Sequence, residues 1–260
     1  MNFDQKKLSL LMPLTESELL LKRNFMKSDF QDNKEFFSLN DYLNFVNESF
    51  LAIFSPYKKR ITNVYLKEDD YIPENFDLSI HKHLRYFPAI KHSAEFFQLY
   101  FCYNGHYYVN VEEETFILRK GDILLLSSEI DHSISVQNDE TIILIVTLRY
   151  SSFLENFSKI FDYNDIVASF FISALFSKRS RIPYLLFHSK EAEIFETVFF
   201  SYNEFNKRSP YIERLLHSLF PTLIVLLLRS ENITVNELNL ITTHLDRKFV
   251  PILLFSDLSN

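Results

Sequence analysis

The chain has 260 residues, 47% of them hydrophobic, and a formal net charge of −7 from 34 Asp and Glu against 27 Lys and Arg. That apolar content supports one large domain or two modest ones, and the acidic balance excludes a phosphate-binding surface spread over the chain. The lone Cys102 excludes an internal disulfide, and no apolar run approaches the roughly 18 residues of a membrane span, so the predicted setting is cytoplasmic and off the membrane.

Helical signals fill the first segment, residues 1–76. Thr15 and Glu18 have capping-box spacing before Leu19, Leu20 and Leu21. In DYLNFVNESFLAIF the apolar positions Tyr42, Phe45, Val46, Phe50 and Ile53 recur at three and four, which predicts a second helix with one buried face. Lys58, Lys59 and Arg60 form a solvated loop.

From residue 77 to 150 the period changes to two. SIHKHLRYF, EFFQLYFCYN, HYYVNV, ETFILR, DILLLS, HSISV and TIILIVTL are short, evenly spaced and rich in β-branched and aromatic residues, which predicts an antiparallel barrel or sandwich. Gly105 and Gly121 are the chain's two glycines, and each stands between two of these runs, where a tight turn needs positive φ.

Residues 151–232 are again helical: SSFLENFSKIF, DIVASFFISALFSK and EAEIFETVFFSYNEFNK are three helices, with PYLLFHS extended before the third. A fourth helix runs from about residue 211 to 229, and Pro221 is expected to bend or divide it. Its leucine stripe fits either an internal core or a dimer seam, and the seam predicts Ile212, Leu216, Leu219 and Leu223 as interface residues.

In the strand region, His92, Ala94, Gln98 and Gly105 occupy the places of the first cupin motif, and Gly121 and His132 those of the second. Spacing is kept while identity is not: Ala94 stands for one histidine ligand and Gln98 for the carboxylate. A first-row metal site takes three or four N, O or S ligands, so the two remaining imidazoles argue for no metal and no cofactor. If His92 points inward, strand alternation turns Ala94, Phe96, Gln98, Tyr100 and Cys102 the same way and gives a mixed polar and aromatic pocket. His92 and His132 are then either ligand contacts or buried histidines satisfied by neighbours.

The run HLRYFPAIKHSAEFFQLYFCYNGHYYVNVEEETFILRKGDILLLSSEIDHSISV resembles the amino-terminal cupin sensor of AraC-type transcriptional regulators. IVASFFISAL, YLLFHS and the helix ending in LLLRS are similar to the family's helical dimerisation part. The resemblance implies an α+β fold: an antiparallel cupin-like β-barrel of the jelly-roll type, flanked by an N-terminal helical segment and a C-terminal helical bundle. It implies a small-molecule or peptide effector, a homodimer, and DNA contact only through a C-terminal domain. The candidate effector contacts are Arg85, His92, Gln98, Tyr100 and His132, with Arg85 as a counter-ion for an anionic effector. Residues 233–260 either form a plain helix or resemble the first helix of the family's helix-turn-helix domain, stopping before a recognition helix, as a shortened or natural stand-alone sensor does. The rival readings are a cupin enzyme with a non-standard metal site, drawing on His81, His83 or His106, and a structural dimerisation module with its barrel packed shut.

Overall fold

Strand alternation is the organising feature of the computed structural model, which describes residues 3–26, 35–36, 65–157, 159, 165–176, 182–229 and 232–235. In chain order the elements are α1 (Phe3–Leu11), α2 (Glu16–Phe25), β1 (Glu35–Phe36), β2 (Tyr65–Leu66) and α3 (Glu68–Tyr71). Then come β3 (Leu78–Lys82), β4 (Ala89–Ile90), β5 (Ser93–Ala94), β6 (Phe97–Asn104), β7 (His106–Val111), β8 (Glu114–Arg119), β9 (Asp122–Leu126), β10 (His132–Ser135) and β11 (Ile142–Leu148). The last part holds α4 (Phe153–Phe157), α5 (Ile166–Phe176), β12 (Tyr184–His188), α6 (Ala192–Lys207), α7 (Ile212–Arg229) and β13 (Asn232–Val235).

Six strands make the main antiparallel sheet in the order β13-β12-β9-β6-β11-β3, and three make a second in the order β10-β7-β8. Tyr100, Cys102, Leu124, Leu126, Ile143, Ile145 and Tyr184 from the first sheet share one core with Tyr107, Val109, Val111, Leu118, Ile134 and their neighbours from around the second. The intervening residues Phe97, Leu99, Phe101, Ile123, Leu125, Leu144 and Val146 enter another core, shared with the helices. Every second residue of β6 therefore serves the interior and the rest serve the helical layer, because successive side chains leave a strand on opposite faces. The helical side is strongly aromatic: Phe97 meets Phe153 and Phe171 edge-on at centroid distances of 5.2 and 5.0 Å. This is the expected α+β arrangement, an antiparallel jelly roll flanked by helices.

Gly105 (φ +75°) and Gly121 (φ +99°) both adopt the left-handed conformation that the turn reading requires. Gly121 has a second constraint, since a Cβ there would stand 2.7 Å from the Ser189 carbonyl oxygen beside β12.

The capping box is formed: Glu18 N–H donates to Thr15 Oγ1 at 3.2 Å, and Thr15 N–H donates to Glu18 Oε2 at 2.9 Å. The same carboxylate, wholly buried, receives Arg85 Nε at 2.9 Å, Arg85 Nη2 at 3.0 Å and Lys82 Nζ at 3.1 Å. Burial alone would raise its pKa, but the bonds from Arg85 and Thr15 and the charge of Lys82 prevail and hold it at about 2. Helix α2 is thus bolted to the chain after β3. The helix expected over residues 40–53 and the loop at Lys58 to Arg60 lie outside the described residues.

PYLLFHS is extended as expected, and its partners are now visible: β12 pairs with β9, and β13 then pairs with β12, so both extend the sensor sheet. Helix α7 runs through Pro221 without interruption, and its leucine stripe faces inward. Ile212, Leu216 and Leu223 are buried in the chain's own core with Phe220, Ile224 and Leu227, while Leu219 is partly buried beside Val198 and Ser201. The predicted dimer seam is therefore corrected. An apolar stripe at helical spacing serves any apolar neighbour, and here α6 and the main sheet supply it.

Leu216→Ala is expected to lower unfolding free energy by about 2–5 kcal/mol, the range for truncating a packed core leucine. Urea denaturation measures it, and light scattering should show no change of mass that precedes unfolding. Glu18→Ala leaves Arg85 buried without its carboxylate, and about 3–5 kcal/mol of destabilisation is expected in the same assay.

Candidate functional site

His92 and His132 are brought together by the backbone. His92 N–H donates to the His132 carbonyl at 2.9 Å and His132 N–H to the His92 carbonyl at 2.8 Å, an antiparallel pair joining the segment before β5 to β10. Their rings lie 4.2 Å apart between centroids, tilted by 54°. Each Nδ1 is turned back to a carbonyl two residues earlier, His92 to Ile90 at 2.8 Å and His132 to Ile130 at 2.9 Å.

Beyond His132 runs a buried polar relay. Gln98 Nε2 donates to the Tyr100 hydroxyl at 2.7 Å, and that hydroxyl lies 2.9 Å from His132 Nε2. With its oxygen accepting from Gln98, the Tyr100 hydroxyl has its proton for His132. His132 is then a neutral imidazole carrying its hydrogen on Nδ1, bonded to Ile130. The electrostatics agree: burial first, then repulsion from His92, pulls the His132 pKa well below the usual value. Burial likewise raises Tyr100 well above the phenolic range. The site at rest is uncharged.

Four of the five predicted contacts, His92, Gln98, Tyr100 and His132, converge here, and Arg85 does not. Its guanidinium is buried and fully engaged by Glu18 and by the carbonyls of Met12 (2.9 Å), Asp139 (2.6 Å) and Pro13 (3.0 Å). All five N–H groups have partners, so the assignment of Arg85 as an effector counter-ion is corrected: its anion is Glu18. The expected shared direction of the strand also holds only from Gln98 onward. Ala94 and Phe96 turn into a separate cluster with Leu66 and Ile72, because β5 pairs with β2 and the extended run is interrupted at Glu95 and Phe96.

Tyr107 was absent from the candidates. Its side chain is buried in the same interior, and its hydroxyl has no hydrogen-bond partner. An orphaned buried hydroxyl costs on the order of 1–3 kcal/mol, which a bound polar group would recover. Alternation in HYYVNV places Tyr107 with Val109 and Val111 on the buried face, and that period-two pattern is the signal that could have found it.

The residues do not fit the metal that cupin folds carry. His132 Nε2 is taken by Tyr100, both Nδ1 atoms by carbonyls, and the other two motif places hold Ala94 and Gln98. No common point is left for a cation, and no step is derived through one. The Cys102 thiol is pushed up to about 12, mainly by burial, so it is no thiolate nucleophile.

Residues 79–156 match the family model described as AraC-like ligand binding domain. Solved structures similar to the chain include ToxT from Vibrio cholerae, at 14% identity and TM-score 0.38 over 58% of this chain and 55% of that one. A cupin protein from Bacteroides fragilis is 22% identical, with TM-score 0.23 over 28% of this chain and 64% of that one. A cupin-2 domain protein from Shewanella frigidimarina is 14% identical, with TM-score 0.24 over 30% and 78%. The chain spans a little over half the length of the ToxT structures it matches. No curated protein matches it significantly. The family match covers under a third of the chain and supports a ligand-binding domain over residues 79–156. Among the described residues, no helix is long and apolar enough to cross a membrane.

His83, like His92 and His132, is held neutral in the folded chain; burial first, then repulsion from His81 and His92, brings it down to about 4. An unfolded histidine titrates near 6.5, so the unfolded chain binds more protons between about pH 6.5 and 4. Stability is therefore expected to be complete above about pH 6.5 and to fall as pH drops, by on the order of 1.4 kcal/mol per pH unit for each such histidine. Urea midpoints from pH 7.5 to 4.5 measure the slope, and His132→Gln should flatten it.

Proposed function

We propose that the chain is the effector-sensing part of an AraC-type transcriptional regulator, and that a small molecule or short peptide binds in the jelly-roll interior against Gln98, Tyr100, Tyr107 and His132. The observation that carries this is the pairing of a buried neutral relay with an unpartnered Tyr107 hydroxyl inside one apolar core. Such a site offers a few placed polar groups among aliphatic and aromatic walls, the usual make-up of a small-molecule pocket. Its lack of charge favours a neutral effector, or one whose charged end stays outside the interior.

Function here is binding rather than catalysis, because the groups on hand are neutral and far from nucleophilic. In this form the interior is filled by its own side chains, so an effector selects or opens a state in which the three-stranded sheet stands away from the main one. The opposite face of the main sheet carries α5, α6 and α7, and a shift of β6, β9 or β11 reaches them across one sheet thickness. We further propose that two chains pair, that the helices relay the shift to them, and that DNA recognition falls to a helix-turn-helix domain that follows β13, in the cytoplasm.

A thermal-shift screen with sugars, nucleotides, fatty acids and short peptides should find a compound that raises Tm by mass action. Tyr107→Phe and His132→Ala should fold, as circular dichroism will show, and weaken that compound roughly tenfold or more, the scale of one buried hydrogen bond. Unchanged affinity in both variants would move the effector out of the interior.

A further inference from the structure

Asp77 precedes β3, and Glu213 and His217 stand one turn apart on α7, where residues at i and i+4 share a face. One ligand atom from each, two carboxylate oxygens and an imidazole nitrogen, lies within 4.8 Å of the others. It is the one such triple of histidine, cysteine and acidic residues found among the described residues. His217 Nε2 is 2.7 Å from Asp77 Oδ2, yet this nitrogen, though shielded from solvent, has no aligned hydrogen-bond partner. A ring nitrogen held close to a carboxylate oxygen without an aligned hydrogen bond between them is an arrangement that a shared cation resolves.

The groups are positioned from outside the triple. Ser152 Oγ donates to Asp77 Oδ1, which leaves Oδ2 to face the helix. The His217 ring packs edge-on against Phe157 at a centroid distance of 5.4 Å, which fixes the plane from which Nε2 projects. Glu213 is exposed, so water can complete the coordination and a cation can come and go.

We propose that Asp77, Glu213 and His217 bind a first-row divalent cation, for which Zn²⁺ is the natural test ion. One imidazole with two carboxylates suits zinc better than Ca²⁺ or Mg²⁺, which prefer all-oxygen shells. Three protein ligands leave positions for water and make the site exchangeable. The cation ties α7 to the start of β3, so it strengthens the docking of the helical layer on the sensor sheet. The site is separate from the barrel interior and does not depend on the effector reading.

Zn²⁺ titrated into the chelator-stripped chain tests this by calorimetry and by thermal unfolding. One ion per chain should bind saturably and raise Tm by a few degrees, and Co²⁺ should give visible d–d absorption. Glu213→Gln, at an exposed helix position that leaves folding intact, should weaken Zn²⁺ roughly tenfold or more, and His217→Gln at least as much. His132→Gln should bind Zn²⁺ as the native chain does. Absence of saturable binding to the native chain would overturn the proposal. So would a Glu213→Gln chain that binds as tightly as the native one, a His132→Gln chain that loses binding, or a Mg²⁺ or Ca²⁺ effect equal to that of Zn²⁺.

Discussion

The central strands of the main sheet, β6, β9 and β11, are buried on both faces, and this one constraint organises the molecule. On β6, Tyr100 and Cys102 look into the jelly roll while Phe97, Leu99, Phe101 and Tyr103 look toward the helices. A half-buried sheet would read as alternating apolar and polar residues. This one reads as near-continuous apolar runs such as TIILIVTL, because both faces are covered. Interior and helical layer are thus parts of one packed object, and a volume change on either side is felt by the backbone between them.

Electrostatics then fixes how the flanking segments attach. Glu18 draws in Arg85 and Lys82, while Glu68, also buried, accepts from the Tyr150 and Ser151 amides and the Ser151 hydroxyl and faces Arg149 at 3.4 Å. Both carboxylates sit at the start of helices, α2 and α3, that precede β3 in sequence, and both reach backbone amides that follow strands far along the chain. A buried carboxylate must find donors, and these positions leave little choice of docking geometry.

Much of this was legible in the residues. The strand runs from HYYVNV to DILLLS are found within a residue of their expected limits, as are the helices 192–207 and 212–229, because periods of two and of three to four are local properties of the chain. The positive-φ glycines and the Thr15 capping box were legible for the same reason. What escaped was partner choice. Nothing local to YLLFHS says that its edge will meet β9, nothing in RYFP says that Arg85 will meet Glu18, and a leucine stripe does not declare which apolar surface covers it. The site divided likewise. Motif spacing placed His92 and His132 together, whereas the isolation of the Tyr107 hydroxyl is a property of the assembled interior.

The functional account rests on mechanical continuity between the vessel and the helices through the shared sheet. Hydrogen exchange on an Ile145→Ala chain tests it most directly, since Ile145 lines the interior from β11 and belongs to the interior core rather than the helical one. The account predicts faster amide exchange in α6 and α7 as well as in β7 and β10. Faster exchange confined to the strands, with the helices protected as in the native chain, would contradict it.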